Sequence, residues 1–294
     1  MPARIRRFVA PLVVVLVLGA AAWAYAARPG EPAPVPDRSK ESAARLALRP
    51  AINGVFYRWT EPQRRVALAK QRLIVGCMAK HGFRYEPAPV AEVTDGTAER
   101  PSPFGLESLP PRRAEPSQTL PPEQPRSEAF TRALYGDPDD KISAKGASLQ
   151  VSRPANGCQA EAERRLLGGT EGRLSYLRLR LQLHDGQNES LERLDHDKQF
   201  RAVNERWREC VLRAGVETTD PVTLVKSLPA DTDLRKHPAA LADLRCKGET
   251  DYLAISYARL AAAQSKWLTE NPEVLPGWKS LQLRQSKVAG EVLG

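Results

Sequence analysis

Cys77-Met78-Ala79-Lys80-His81-Gly82-Phe83 and Cys210-Val211-Leu212-Arg213-Ala214-Gly215-Val216 share one pattern: a cysteine, four residues, a glycine and an apolar residue. Such a pattern closes an amphipathic helix, because glycine enters the left-handed conformation that ends it without a Cβ penalty. Upstream of the first copy, Thr60 and Gln63 form a capping box around Pro62, and Val66, Leu73, Ile74, Cys77 and Met78 fall on one helical face. Upstream of the second, Phe200, Val203, Trp207, Cys210 and Val211 follow the three-then-four spacing and predict a helix from about Ser190 to Ala214. Further on, Cys158 and Cys246 each open or enter a later helix, with Glu161 and Glu249 three residues beyond. The echo points to a mainly α fold of two diverged helical units, 60–187 and 188–294.

The cysteines follow from this. In an exported chain four of them suggest two disulfides, and sequence alone permits three pairings. The echo selects Cys77 with Cys158 and Cys210 with Cys246. A zinc site is disfavoured, since there is no C-x2-C spacing and the four histidines are scattered, and the same absence disfavours a dithiol redox centre.

Export is read from the start of the chain. Arg4, Arg6 and Arg7 precede an uncharged stretch from Phe8 to Ala27, long enough at helical rise to cross roughly 30 Å of hydrocarbon. Basic residues in front imply that the remainder is translocated. The small residues of 22–27 offer cleavage sites, so 1–27 is expected to be a signal peptide or a membrane anchor through residues 8–27. The expected location is extracytoplasmic, either anchored or secreted. Lipid attachment at a mature N-terminal cysteine is disfavoured, because the first cysteine is Cys77.

Between these landmarks, 28–59 reads as a tether and entry segment, rich in proline and charge at its start. Residues 86–126, with Pro110-Pro111 and Pro121-Pro122, read as a long Pro-rich surface loop inside the first unit. Ala129 to Tyr135 predicts a short helix stopped by Gly136, and the weak alternation across 142–152 predicts a small hairpin. Asn156 is the expected cap of the helix opened by Cys158. Leu177, Leu179, Leu181 and Leu183 alternate like a strand, yet Leu, Arg and Gln are helix formers and no β-branched residue interrupts them, so a helix is expected, broken by Asp185-Gly186. A last helix is expected from about Ala239 to Asn271, ended by Pro272 and Pro276, with Leu253, Tyr257, Leu260 and Trp267 facing inward.

The net charge of +9 falls by three without Arg4, Arg6 and Arg7, and the other basic residues mix with acids. No basic stripe with interleaved aromatics exists, so no nucleic-acid partner is expected. A modest positive excess outside the membrane favours anionic lipid headgroups or anionic wall polymers. Asp195-His196-Asp197 reads as a solvated charge cluster, and Asp137, Asp139 and Asp140 as a turn, because Ile142 and Ser148 stand where a calcium loop needs Gly and Glu. Gly168, Gly169 and Gly172 lack the strand and the Lys-Ser/Thr ending of a phosphate loop. Trp207, Trp267 and Tyr257 have the spacing of core residues rather than of a ligand cage. No cofactor, metal ligand or catalytic residue is assigned.

Cys77-Met78 with Gly82-Phe83, Ala133-Leu134-Tyr135-Gly136, Gly157-Cys158 with Glu161-Ala162, and Trp207 with Cys210, in this order, resemble a group of uncharacterised exported helical proteins of actinobacteria. The resemblance covers roughly residues 60–260. It implies an envelope location and carries no activity and no catalytic residue. The expected function is therefore a non-enzymatic, envelope-associated helical module that contacts an envelope protein or polymer. The alternative is an exported hydrolase whose site is assembled from dispersed Asp, Glu and His.

Overall fold

The computed structural model describes residues 42–93, 102–110 and 127–294. The expected export segment 1–27, most of the proline-rich start of the tether, and 94–101 and 111–126 of the loop lie outside the described residues. Among the described residues two short helices come first, α1 (Ala43–Ala47) and α2 (Ala51–Tyr57). They correct the expectation of a tether running to residue 59: Leu46, Ala47 and Ile52 are buried, and burial rather than propensity holds helices this short.

Next is α3 (Glu61–Lys80), begun as the sequence predicts. Gln63 Oε1 accepts the Thr60 N–H at 2.8 Å and its hydroxyl at 3.0 Å. At the other end the Phe83 N–H reaches the Met78 carbonyl and the Gly82 N–H that of Ala79, with Gly82 at φ 79°. The same pair of bonds recurs at the end of α7 (Lys198–Arg213), from Val216 to Val211 and from Gly215 to Leu212, with Gly215 at φ 78°. Both copies of the cysteine pattern are thus one and the same helix stop.

After α4 (Glu128–Tyr135), stopped at Gly136, strands β1 (Lys141–Lys145) and β2 (Gln150–Pro154) form the expected antiparallel hairpin. Then α5 (Cys158–Leu167) begins. Its cap residue is Gly157, not Asn156; the Asn156 side chain is taken up by the preceding loop, accepting the Asp137 N–H and donating to Asp140, both at 2.7 Å.

The leucine-rich run lies in α6 (Thr170–Leu194), a single helix that passes straight through Asp185-Gly186. At about 100° per residue, leucines two apart point to opposite sides and leucines four apart to the same side. Leu177 and Leu181 accordingly pack under the hairpin, while Leu179 and Leu183 face Trp267 and Trp278. The alternation that imitates a strand is the signature of a helix buried on two faces. Gly186 does not break it; a Cβ there would lie 2.7 Å from the Trp267 ring, so the glycine allows a close helix approach.

The break falls instead at 195–197, where Asp197 caps α7 through the N–H groups of Gln199 and Phe200. The expected 190–214 helix is therefore the end of α6 followed by α7. Beyond α8 (Pro221–Ser227), the expected 239–271 helix is likewise two, α9 (Pro238–Glu249) and α10 (Tyr252–Glu270), hinged at Asp251 in the left-handed region with φ 52°. Pro276 starts rather than ends a helix: it lies in the first turn of α11 (Val274–Leu293), where a missing N–H costs nothing.

The described residues fall in one compact unit. The expected division at 187/188 falls inside α6, and α11, from the far end of the chain, packs along α3 and α5 through Ala289, Ala69 and Leu166. The largest apolar cluster joins α7, α9 and α10 around Trp207, Tyr252, Tyr257 and Leu260. It also takes in Phe104, which is 2% exposed and stands edge-on to Tyr257 at 4.9 Å. That is a correction to the surface-loop reading of 86–126, because 102–110 is a strap fixed into the core by an aromatic side chain.

Candidate functional site

The cysteines pair as the echo selects, Cys77 with Cys158 and Cys210 with Cys246, and no free cysteine remains. Each bridge staples the glycine-closed end of one helix to a later helix. In both, the glutamate three residues after the second cysteine returns to the first: Glu161 Oε2 lies 3.5 Å from Cys77 Sγ, and Glu249 Oε2 lies 3.4 Å from Cys210 Sγ. His81 comes within 4.8 Å of the Cys77 and Cys158 sulfurs. With those sulfurs bonded to each other, no thiolate is available there to a metal. Disulfides of this kind form and persist in oxidising compartments. No described helix is long and apolar enough to cross a membrane.

The other candidate clusters resolve into structural roles. Asp197 is a helix cap gripped by Arg259 at 2.7 Å; burial raises its pKa, but the Arg259 and backbone bonds outweigh this and hold the carboxyl below its usual range. Asp137 accepts the Asp139 N–H in a turn. Gly168 and Gly169 form the joint between α5 and α6. Trp207, Trp267 and Tyr257 are core side chains, each less than 5% exposed. The Trp207 indole donates to Asp243 at 3.0 Å, and Asp243 meets Lys247 at 2.8 Å, an ion pair buried to within 2%. Lys247 also donates to the Leu106 carbonyl, tying down the strap. Among the described residues no histidine is hydrogen-bonded to a carboxylate; His184 meets Asn188 and His237 precedes α9.

A well-formed concavity among the described residues involves none of these clusters; a cleft, if present, was expected between the two helical units, and this one is lined by residues of both, though none of its lining residues was singled out as a site. It is a cleft of about 740 Å³ between the α2–α3 corner and the face of α11, with α5 and α6 behind it. Its size is that of a small-ligand site. The floor is aromatic: Tyr176 stacks on Trp278 with centroids 5.4 Å apart, and Phe56 meets Trp278 edge-on at 6.5 Å. Val66, Leu166 and Leu167 supply the aliphatic wall.

Four cations line this cleft, Arg58, Lys70, Arg180 and Lys279, against one carboxylate, Glu163, which leaves three positive charges in excess. Glu163 is engaged by Lys70 at 2.9 Å, Arg173 at 3.1 Å and Arg153 at 3.8 Å. Burial pushes its pKa up, but Lys70 first and then Arg173 and Arg153 more than offset this, and the carboxyl is held below its ordinary value. Arg58, Arg180 and Lys279 have no carboxylate partner among the described residues. The Arg180 guanidinium lies 5.8 Å from the Phe56 ring centroid, and the two side chains also line a second hollow of about 270 Å³ beside the hairpin. The cleft was illegible in the sequence because its walls come from positions 54 to 286, brought together only when α11 returns to α3.

No protein-family profile, no curated protein and no solved structure matches this chain.

Proposed function

We propose that this chain is an extracytoplasmic, envelope-associated binding module that acts by holding a ligand in the α2–α3–α11 cleft rather than by transforming one. The observation that carries the reading is the cleft itself, with an aromatic floor, an aliphatic wall and three cations without carboxylate partners. Such a surface offers apolar contact and anion recognition. Its one carboxylate is kept ionised by three cations, so it serves poorly as a general acid, and the Thr60 hydroxyl at the rim is committed to Gln63. The envelope location rests on the export-type start of the chain, the two disulfides and the resemblance to exported actinobacterial proteins.

A photo-crosslinking residue placed at Gln282 in the cleft, in the full chain expressed in its own host, tests this. A discrete envelope adduct is expected there and not from Leu212, which is 60% exposed on α7. Hydrolytic turnover that is lost on altering Glu163 or Lys70, or the absence of any cleft-specific adduct, overturns the reading.

A further inference from the structure

We infer that the occupant of the cleft is a single-chain anionic amphiphile drawn from the membrane, an alkyl or isoprenyl chain carrying a phosphate head. The inference rests on the binding function just proposed and names its ligand class. Three features converge on it.

The first is charge. Arg58, Arg180 and Lys279 line one cavity in which four cations face a single carboxylate, and Arg180 is held there by donating to the Tyr176 hydroxyl at 3.2 Å. Guanidinium groups present a planar fork to phosphate oxygens, and a charge-assisted bond of this kind is roughly twice as strong as a neutral one. A phosphate head supplies the anionic acceptor that such a lining lacks.

The second is the floor. Trp278 is 6% exposed and stacked on Tyr176, so it does not offer the open indole face on which a sugar ring would lie. What remains is a concave apolar surface from Phe56, Tyr176, Val66 and Leu166, suited to a flexible hydrocarbon chain.

The third is position. Leu283 on α11 lines the cleft and is 72% exposed, one turn after Lys279. A leucine in water beside a lysine is a pairing suited to a membrane surface, with the apolar side chain at the headgroup boundary and the cation near lipid phosphates. Fourteen residues, 28–41, separate the apolar run from Ser42, and a chain of that length reaches at most about 50 Å. A chain retained in the membrane through residues 8–27 therefore keeps Ser42, where the described fold begins, within that distance of the bilayer.

The test uses the full chain in vesicles of zwitterionic phospholipid and a photoactivatable alkyl phosphate as probe. Label is expected in the peptides containing Phe56 to Ala67 and Trp278 to Ser286, competed by dodecyl phosphate and not by dodecanol or inorganic phosphate. Arg58→Gln with Lys279→Gln should lower labelling about tenfold, the loss of about 1.4 kcal/mol, while Val66→Trp should block the cleft with both charges intact. Unchanged thermal unfolding of both variants confirms that they are folded. Equal competition by dodecanol, competition by inorganic phosphate alone, or label spread evenly over the chain each overturns the inference. If the Gln282 crosslinker captures a protein or a glycan while the alkyl phosphate does not label, the binding function stands and the amphiphile falls; if neither reports the cleft, both fall.

Discussion

The side-chain oxygen of Gln264 in α10 accepts the backbone N–H of Ile52 in α2 at 2.8 Å across 212 positions of sequence, and that of Asn53 at 3.4 Å. Pro50, the residue preceding α2, offers no side-chain cap, so the cap arrives from a distant helix. The Gln264 amide nitrogen, Nε2, also donates to Asn53 Oδ1 at 2.9 Å, and Asn53 Nδ2 donates to the Ala47 carbonyl at 3.1 Å. Gln264→Leu leaves these fully buried groups unpaired, and a loss of about 2–4 kcal/mol is expected in urea unfolding. A loss below about 0.5 kcal/mol would show that α2 is not held this way.

The two disulfides close loops with sequence separations of 81 and 36. Chain entropy gives about 4.5 kcal/mol for the first and about 3.8 kcal/mol for the second, so removing either is severe and removing Cys77–Cys158 slightly more so. Guanidinium unfolding of the paired Cys→Ala variants is the measurement, with the order between the two as the discriminating result.

Lys247 and Asp243 are buried together with the Trp207 indole. Burial pushes the Asp243 pKa up and the Lys247 pKa down, so the environment disfavours both charges, and their mutual contact, helped by the Trp207 indole on one side and the nearby Glu107 carboxylate on the other, opposes this. Lys247→Met strands the carboxylate and is expected to cost about 3–5 kcal/mol, whereas adding Asp243→Leu should recover part of that loss. A double-mutant cycle with no such recovery would refute the coupling.

Asp185 in α6 receives the Ala147 N–H at 2.7 Å and the Ser148 hydroxyl at 2.5 Å, fixing the hairpin turn on the helix. Burial raises its pKa, but these bonds outweigh it and the folded value lies below the ordinary 3.8. The stabilisation is thus fully present above that ordinary value and is lost as pH falls through the lower, folded one. Asp185→Asn should cost about 1.5–3 kcal/mol at neutral pH and flatten the acid limb of a stability–pH curve.

Phe104 joins the strap 102–110 to the core. Phe104→Ala should cost about 3–5 kcal/mol, or release the strap alone and expose 102–110 to limited proteolysis while α7 and α10 remain protected. Hydrogen exchange separates global from local loss.

The helices that stood out in the sequence are those with a strong local stop or start: the capping box at Thr60, the glycine closures at Gly82 and Gly215, and the turn at Gly136. Misplaced boundaries arose where a local rule met a tertiary demand. Gly186 reads as a breaker in isolation but is required by the Trp267 ring, and the alternating leucines of α6 read as a strand until both faces of the helix are seen to be covered. Asp251 gives no signal at all before its left-handed backbone is known.

By itself the sequence determined the mainly helical class and the hairpin, and its internal echo selected, among three possible pairings, the two disulfides that the structure shows, because helix closures and cysteine spacing are local patterns that repeat along the chain. Tertiary structure alone decided that the two halves form one unit, that a proline-rich segment lodges an aromatic ring in the core, and where the cleft lies. Those outcomes depend on contacts between residues far apart in sequence, α11 on α3, Phe104 on Tyr257, Gln264 on Ile52, whose partners are chosen by shape and burial once the helices have formed.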